Sequence, residues 1–162
     1  MKKIGLAFLL ITVFASICTM AQSEAEKNFE KMKTLAGSWK GKTSEGRPVE
    51  ISYRVTSGGS ALMSEIKGKE DMITMFHLDG DRLMMTHYCG AGNQPRMKAE
   101  TSPDGKTIPF EFLDATNLES PEAGHMHRAV FTVADANHHT EEWVFTKDGK
   151  EQKELFAMER VK

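Results

Sequence analysis

Between residues 38 and 161 the chain alternates apolar and polar side chains with period two, and turn residues interrupt it at intervals of about ten. Val49, Ile51, Tyr53 and Val55 fall on one side, and Glu50, Ser52, Arg54 and Thr56 on the other. Ile108, Phe110 and Phe112 repeat the pattern. The interruptions are Ser57-Gly58-Gly59, Asp79-Gly80-Asp81, Pro103-Asp104-Gly105-Lys106 and Asp148-Gly149. Short turns make neighbouring strands antiparallel, and about ten strands in meander order favour an up-and-down barrel, which abolishes exposed edges. The expected class is therefore all-β, with a two-sheet sandwich as the alternative.

One helix precedes the strands. Ser23 and Glu26 are spaced as a capping box, Ala25, Phe29, Met32 and Leu35 or Ala36 recur at helical spacing, and Gly37 stops the run. The spacing predicts a short amphipathic helix over 24–36.

Before the helix, Lys2 and Lys3 introduce the apolar run Ile4 to Ile17, and Thr19-Met20-Ala21 places small residues at the −3 and −1 positions of a cleavage site. The run is shorter than the ~20 residues of a membrane span. Cys18 is no lipidation site, because Ile17 is too bulky for the residue before a lipidated cysteine. Residues 1–21 are expected to be a secretory signal peptide and residues 22–162 one domain, secreted or periplasmic, with no membrane contact after cleavage. Cleavage removes two lysines and takes the net charge from −2 to −4. That balance, with no basic run, argues against nucleic acid as a partner. Cys89 is then the only cysteine, so the core holds the fold without a disulfide.

The chemistry-bearing residues concentrate in 71–96. Gly80 supplies the positive φ of a tight hairpin. Ile73, Met75 and His77 share one face of the first arm, and Leu83, Met85, His87 and Cys89 one face of the second. Met72, Phe76 and Met84 are read as lying opposite Met75 and Met85, which leaves apolar residues on both faces. The helix packing outside the barrel, or a homodimer, would cover the outer one. His87 and Cys89, two apart, would point into the barrel, as ligand contacts, soft metal ligands or a thiolate–imidazolium pair. The loop Asn93-Gln94-Pro95-Arg96 offers two amides and a guanidinium to a polar group at the cavity mouth. His125 and His127 form a second pair that, with His87 or His77, would complete a three-histidine zinc site. His138 and His139 read as a solvated turn and strand start. Nine methionines follow the expected signal, among them Met85, and with phenylalanines such as Phe110 they suit a cavity for a small apolar molecule.

The helix-to-strand entry Leu35-Ala36-Gly37-Ser38-Trp39-Lys40-Gly41 resembles the Gly-x-Trp signature that opens the first strand of lipocalins and other calycin-like barrels. The resemblance implies structural roles for Gly37 and Trp39, with Trp39 closing the barrel floor under a basic side chain from the last strand, a place Arg160 would take as a cation–π contact. His77 to Asp81, and Thr86 to Cys89 through Asn93 to Met97, resemble uncharacterised secreted bacterial lipocalin-like proteins, which implies fold and export without a settled activity. Gly37, Trp39 and Gly41 also resemble the Gly-x-Trp-x-Gly-x-Gly opening of nitrobindin, a haem-binding barrel. Thr43 stands where its last glycine belongs. Its haem histidine lies near the C-terminal strand, and Leu155 to Arg160 contains none.

The leading expectation is an exported β-barrel that holds a small, largely apolar ligand in an interior cavity, without a cofactor. His87, Cys89, Asn93, Gln94, Arg96, Met85 and Phe110 would contact the ligand. The alternatives are a His-dependent isomerase, lyase or hydrolase, with Arg96 or Gln94 stabilising negative charge beside His87, and a carrier of haem or zinc.

Overall fold

A computed structural model of the chain describes residues 21–68 and 71–162. The expected signal peptide, apart from Ala21, lies outside them. The described residues form one helix, α1 (Glu24–Lys33), and ten strands: β1 (Gly37–Thr43), β2 (Pro48–Thr56), β3 (Ala61–Lys67), β4 (Met72–Asp79), β5 (Arg82–Tyr88), β6 (Gln94–Ala99), β7 (Thr107–Thr116), β8 (His125–Val133), β9 (His138–Lys147) and β10 (Lys150–Arg160). Each strand pairs antiparallel with the next, and β1 closes on β10. The fold is an up-and-down barrel with no edge strand.

The capping box starts α1. Glu26 N–H donates to Ser23 Oγ at 3.2 Å, and Ser23 N–H donates to Glu26 Oε2 at 2.8 Å. The helix ends at Lys33, before the expected residue 36, because the following carbonyls bond elsewhere. Arg160 donates to Thr34 O, Ala36 O and Ala136 O, each at 2.7 Å, and its guanidinium lies 4.2 Å from the Trp39 ring centroid. Trp39 Nε1 donates to Leu35 O at 2.7 Å. Gly37, at φ +127°, makes room for this, since a Cβ there would sit 2.9 Å from Arg160 Nη1. One guanidinium thus joins the helix end, the β8–β9 turn and the barrel floor.

Phe29, Met32 and Leu35 are buried in the same core as the barrel's own side chains, so α1 closes one end. It does not pack on the outer wall of the hairpin. The hairpin register also differs from the expected one. Phe76 pairs with Met85, Thr74 with His87 and Leu78 with Leu83, and these face inward. Met75 pairs with Thr86 and Met84 with His77, which places Ile73, Met75 and His77 outside. Met75 and Met85 therefore lie on opposite faces. Both arms carry apolar residues at both parities, so alternation alone leaves the register open.

The half of the barrel nearest α1 is packed. Phe76, Phe110 and Phe131 meet edge to face with centroids 5.5–5.7 Å apart. Leu62, Met85, Met97 and Ile108 beside them are wholly buried. Met85 and Phe110, expected at a ligand, belong to this filled region.

Candidate ligand-binding site

Polar side chains from β2, β4, β5 and β9 also enter the interior. Glu141, on β9, alternates with Trp143 and Phe145 and so faces inward with the aromatics. Its carboxylate is fully buried and accepts from Tyr53 O–H at 2.5 Å and Trp143 Nε1–H at 2.9 Å, with His139 Nε2 at 3.0 Å. Burial, then the neighbouring carboxylate, pushes the Tyr53 phenol well above its usual range. A carboxylate can be buried here because both oxygens have partners. His139, read from sequence as solvated, is 1% exposed and meets the Trp39 ring edge-on at 4.3 Å; only His138 remains at the surface, beside Asp135.

Trp143 joins this cluster to a second one. Its ring lies 4.9 Å from that of His87, which reaches across the interior from β5. His87 is 1% exposed, and burial lowers its pKa to about 4, so the imidazole is neutral at pH 7. Its Nδ1 lies 2.9 Å from Thr74 Oγ1, while Nε2 has no partner among the described residues. Asn93 is buried as well. Its Nδ2 donates to Gly124 O at 2.8 Å, and its Oδ1 has no partner among the described residues.

At the end opposite α1, a cleft of about 530 Å³ opens above Trp143. Met126, Trp143 and Phe145 give it an apolar floor. Arg47, Gln152 and Glu154 form a polar rim, with Arg47 donating to Glu154 at 2.5 Å. The loop 117–124 borders this end, held by Asn117 Nδ2–H donating to Gly92 O and Asp148 N–H donating to Glu122 O. A Cβ on Gly124 would come within 2.6 Å of Phe145 Cζ, so the loop rests on the cleft floor. Two larger grooves, of about 770 and 740 Å³, flank α1 and are lined by its charged side chains. A third, of about 660 Å³, runs along β1, β2, β9 and β10 and includes His139, whose buried Nδ1 also has no partner among the described residues. The cleft above Trp143 is set apart by its place at the barrel mouth, over the indole that touches the His87 ring.

The structure separates several residues that the sequence had grouped. Gln94 and Arg96 belong to β6, where Pro95 is tolerated next to a bulge at Arg96/Met97. Arg96 pairs with Thr86 on the outer wall, and its guanidinium holds Asp114 through Nε at 2.6 Å and through Nη2. Gln94 spends its amide on Gly92 O and Thr116 Oγ1. Neither joins His87, so the constellation for stabilising charge beside it is not assembled. Cys89 follows β5 in the turn, half-buried, where Ala91 N–H donates to its Sγ at 3.5 Å.

His125 and His127 pack on Phe112, with centroids at 4.7 and 5.3 Å. His125 Nδ1 donates to Ala123 O at 2.7 Å, and its Nε2 faces His127 Nδ1 at 3.4 Å. Among the described residues no group of three or more His, Cys, Asp or Glu is placed to hold a metal ion. On β10, Phe156 and Met158 are the buried residues, so the strand offers no imidazole and does not fit a haem held as in nitrobindin.

The sequence reading missed Tyr53, Glu141 and the Met126–Trp143–Phe145 floor. The alternation Glu141, Trp143, Phe145 was the available signal, an acid on the apolar face of a strand.

Comparison with known proteins supports the fold. No protein-family model matches the chain, and neither does any curated protein sequence. Among solved structures, it is similar to Rv2717c from M. tuberculosis, with a TM-score of 0.55 and 16% identity over 88% of this chain and all of that one. It is also similar to a protein of unknown function from the DUF3598 family of Nostoc punctiforme, with a TM-score of 0.54 and 12% identity over 80% of this chain and 49% of that one. At such identities the likeness concerns the barrel alone, a fold compatible with ligand binding.

Proposed function

We propose that this protein binds a small, largely apolar molecule in the mouth of its barrel, above Trp143. The observation that carries the reading is the cleft of about 530 Å³, whose floor is Met126, Trp143 and Phe145 and whose rim is the charged and polar set Glu45, Arg47, Gln152, Lys153 and Glu154. That volume lies within the range of ordinary small-molecule sites, and the three apolar side chains at its base would take the ligand's apolar part. Ligand binding of this kind agrees with the lipocalin-like entry motif. It also agrees with export directed by the N-terminal 1–21 segment, which would place the protein outside the cytoplasm. No catalytic step is needed.

Titration with the neutral fluorophore N-phenyl-1-naphthylamine tests the proposal. The expected result is saturable binding by the wild type, weakened at least tenfold by Met126→Lys, which puts a charge on the cleft floor. Equal binding by a folded Met126→Lys variant, or no saturable binding by the wild type, would overturn it.

A further inference from the structure

Two unpartnered polar atoms specify what the ligand's polar end must be. His87 and Asn93 are near neighbours on the β5–β6 ladder. Thr86 pairs with Arg96, and Cys89 N–H donates to Asn93 O at 3.1 Å, which places Asn93 diagonally across from His87. Diagonal partners lie roughly 7–8 Å apart at the backbone, so the two side chains share one stretch of the barrel's inner face. Both side chains are buried, and each keeps one polar atom without a partner among the described residues: Nε2 of His87 and Oδ1 of Asn93. A buried unpaired polar atom costs free energy that a bound group can restore.

The orientation of Asn93 is set, because Nδ2 already donates to Gly124 O. Its Oδ1 therefore accepts only. His87 has two tautomers. If Thr74 O–H donates to Nδ1, then Nε2 carries the proton and the pair offers one donor and one acceptor, the complement of a hydroxyl. If Nδ1–H donates to Thr74, both open atoms accept, the complement of an amide or amine N–H. In either case Asn93 Oδ1 needs a donor.

Resting on the binding reading above, we infer that His87 and Asn93 form a polar subsite for a neutral ligand whose polar end carries an O–H or N–H. His87 is neutral, and the two charged side chains of β6, Arg96 and Lys98, are paired with Asp114 and Glu100. Neither residue lines the cleft itself, but both adjoin its floor: the His87 ring touches Trp143, and Asn93 bonds Gly124, which rests on Phe145. The ligand's apolar body would occupy the cleft, and its donor would reach the subsite past the Trp143 ring.

Two isomers isolate the donor: octan-1-ol and heptyl methyl ether have the same formula and differ in the O–H. Each competes with bound N-phenyl-1-naphthylamine. In the wild type, octan-1-ol should displace the probe at a concentration at least tenfold lower than the ether. His87→Phe and Asn93→Leu, confirmed as folded by near-ultraviolet circular dichroism, should each shrink that preference while the ether competes as before. Equal displacement by the two isomers in the wild type overturns the subsite and leaves the cleft reading intact. Failure of the probe itself to bind overturns the cleft reading instead. If neither variant folds, the wild-type comparison decides alone.

Discussion

Trp143 on β9 meets His87 on β5 across the barrel interior, their ring centroids 4.9 Å apart. On one side of this contact lie the interlocked phenylalanines that fill the barrel to α1, and on the other lies the cleft. The indole N–H is anchored by Glu141, so the wall between the two regions is held by a buried acid.

Glu141→Ala should destabilise the fold by about 3–5 kcal/mol, the usual effect of removing one partner from a buried charged network. Tyr53, Trp143 and His139 would each lose a partner. Glu141→Gln retains an accepting oxygen and should lose less than half as much. Urea unfolding monitored by fluorescence checks both, and equal losses would show that the acceptor is not what matters.

Acidification should weaken the protein through His87. In the unfolded chain this group titrates near 6.5, and in the barrel at about 4. Between those values the unfolded state binds more protons, so stability rises with pH across the window and falls as pH drops, by up to about 3 kcal/mol. His87→Gln has no such group. The unfolding free energy of the wild type minus that of the variant should therefore be flat above pH 6.5 and shrink toward pH 4. A flat difference throughout would count against a buried neutral imidazole.

Arg160→Ala should cost roughly 3 kcal/mol: each hydrogen bond from a charged donor is worth up to about 3 kcal/mol, but the three bonds are exposed and water takes over part of what the carbonyls lose. Arg160→Lys should recover only part of the loss, because a point charge cannot serve three acceptors and stack on Trp39. Thermal unfolding measures this, and full rescue by lysine would contradict the role of the fork.

Gly124→Ala should leave stability within about 1 kcal/mol, as expected for one side chain that can rotate away. It should nonetheless weaken N-phenyl-1-naphthylamine binding, because the new methyl group would press on Phe145 in the cleft floor. Unchanged affinity would separate the loop from the site.

Arg96→Ala should change probe affinity less than twofold and stability by under 1 kcal/mol, since its pair with Asp114 is half-exposed on the outer wall. A large loss of binding would return Arg96 to the site from which the structure removes it.

The barrel was legible because period-two segments such as Val49 to Val55 and Ile108 to Phe112 admit few other folds. The helix cap was legible because Ser23 and Glu26 satisfy each other within one turn. The hairpin register was not, since Met72, Met75, Met84 and Met85 are apolar at both parities, and only partners elsewhere on the sheet decide which face is buried. Arg96 was read as a mouth residue because Pro95 suggests a loop, whereas the bulge beside it lets the strand continue. Glu141 lay beyond the reach of local pattern for a different reason: its phenol partner, Tyr53, is 88 positions away in the chain.

The pairing of β1 with β10 also governs how the chain must be made. Trp39 lies against Arg160, so the entrance strand, paired on one side with β2, keeps its other side open until the final strand is available. A partly synthesised chain would carry two open edges and a helix whose closing carbonyls lack their donor, a state prone to pairing with other chains. Removing the terminal strand would thus unfasten both the wall and the plug at once.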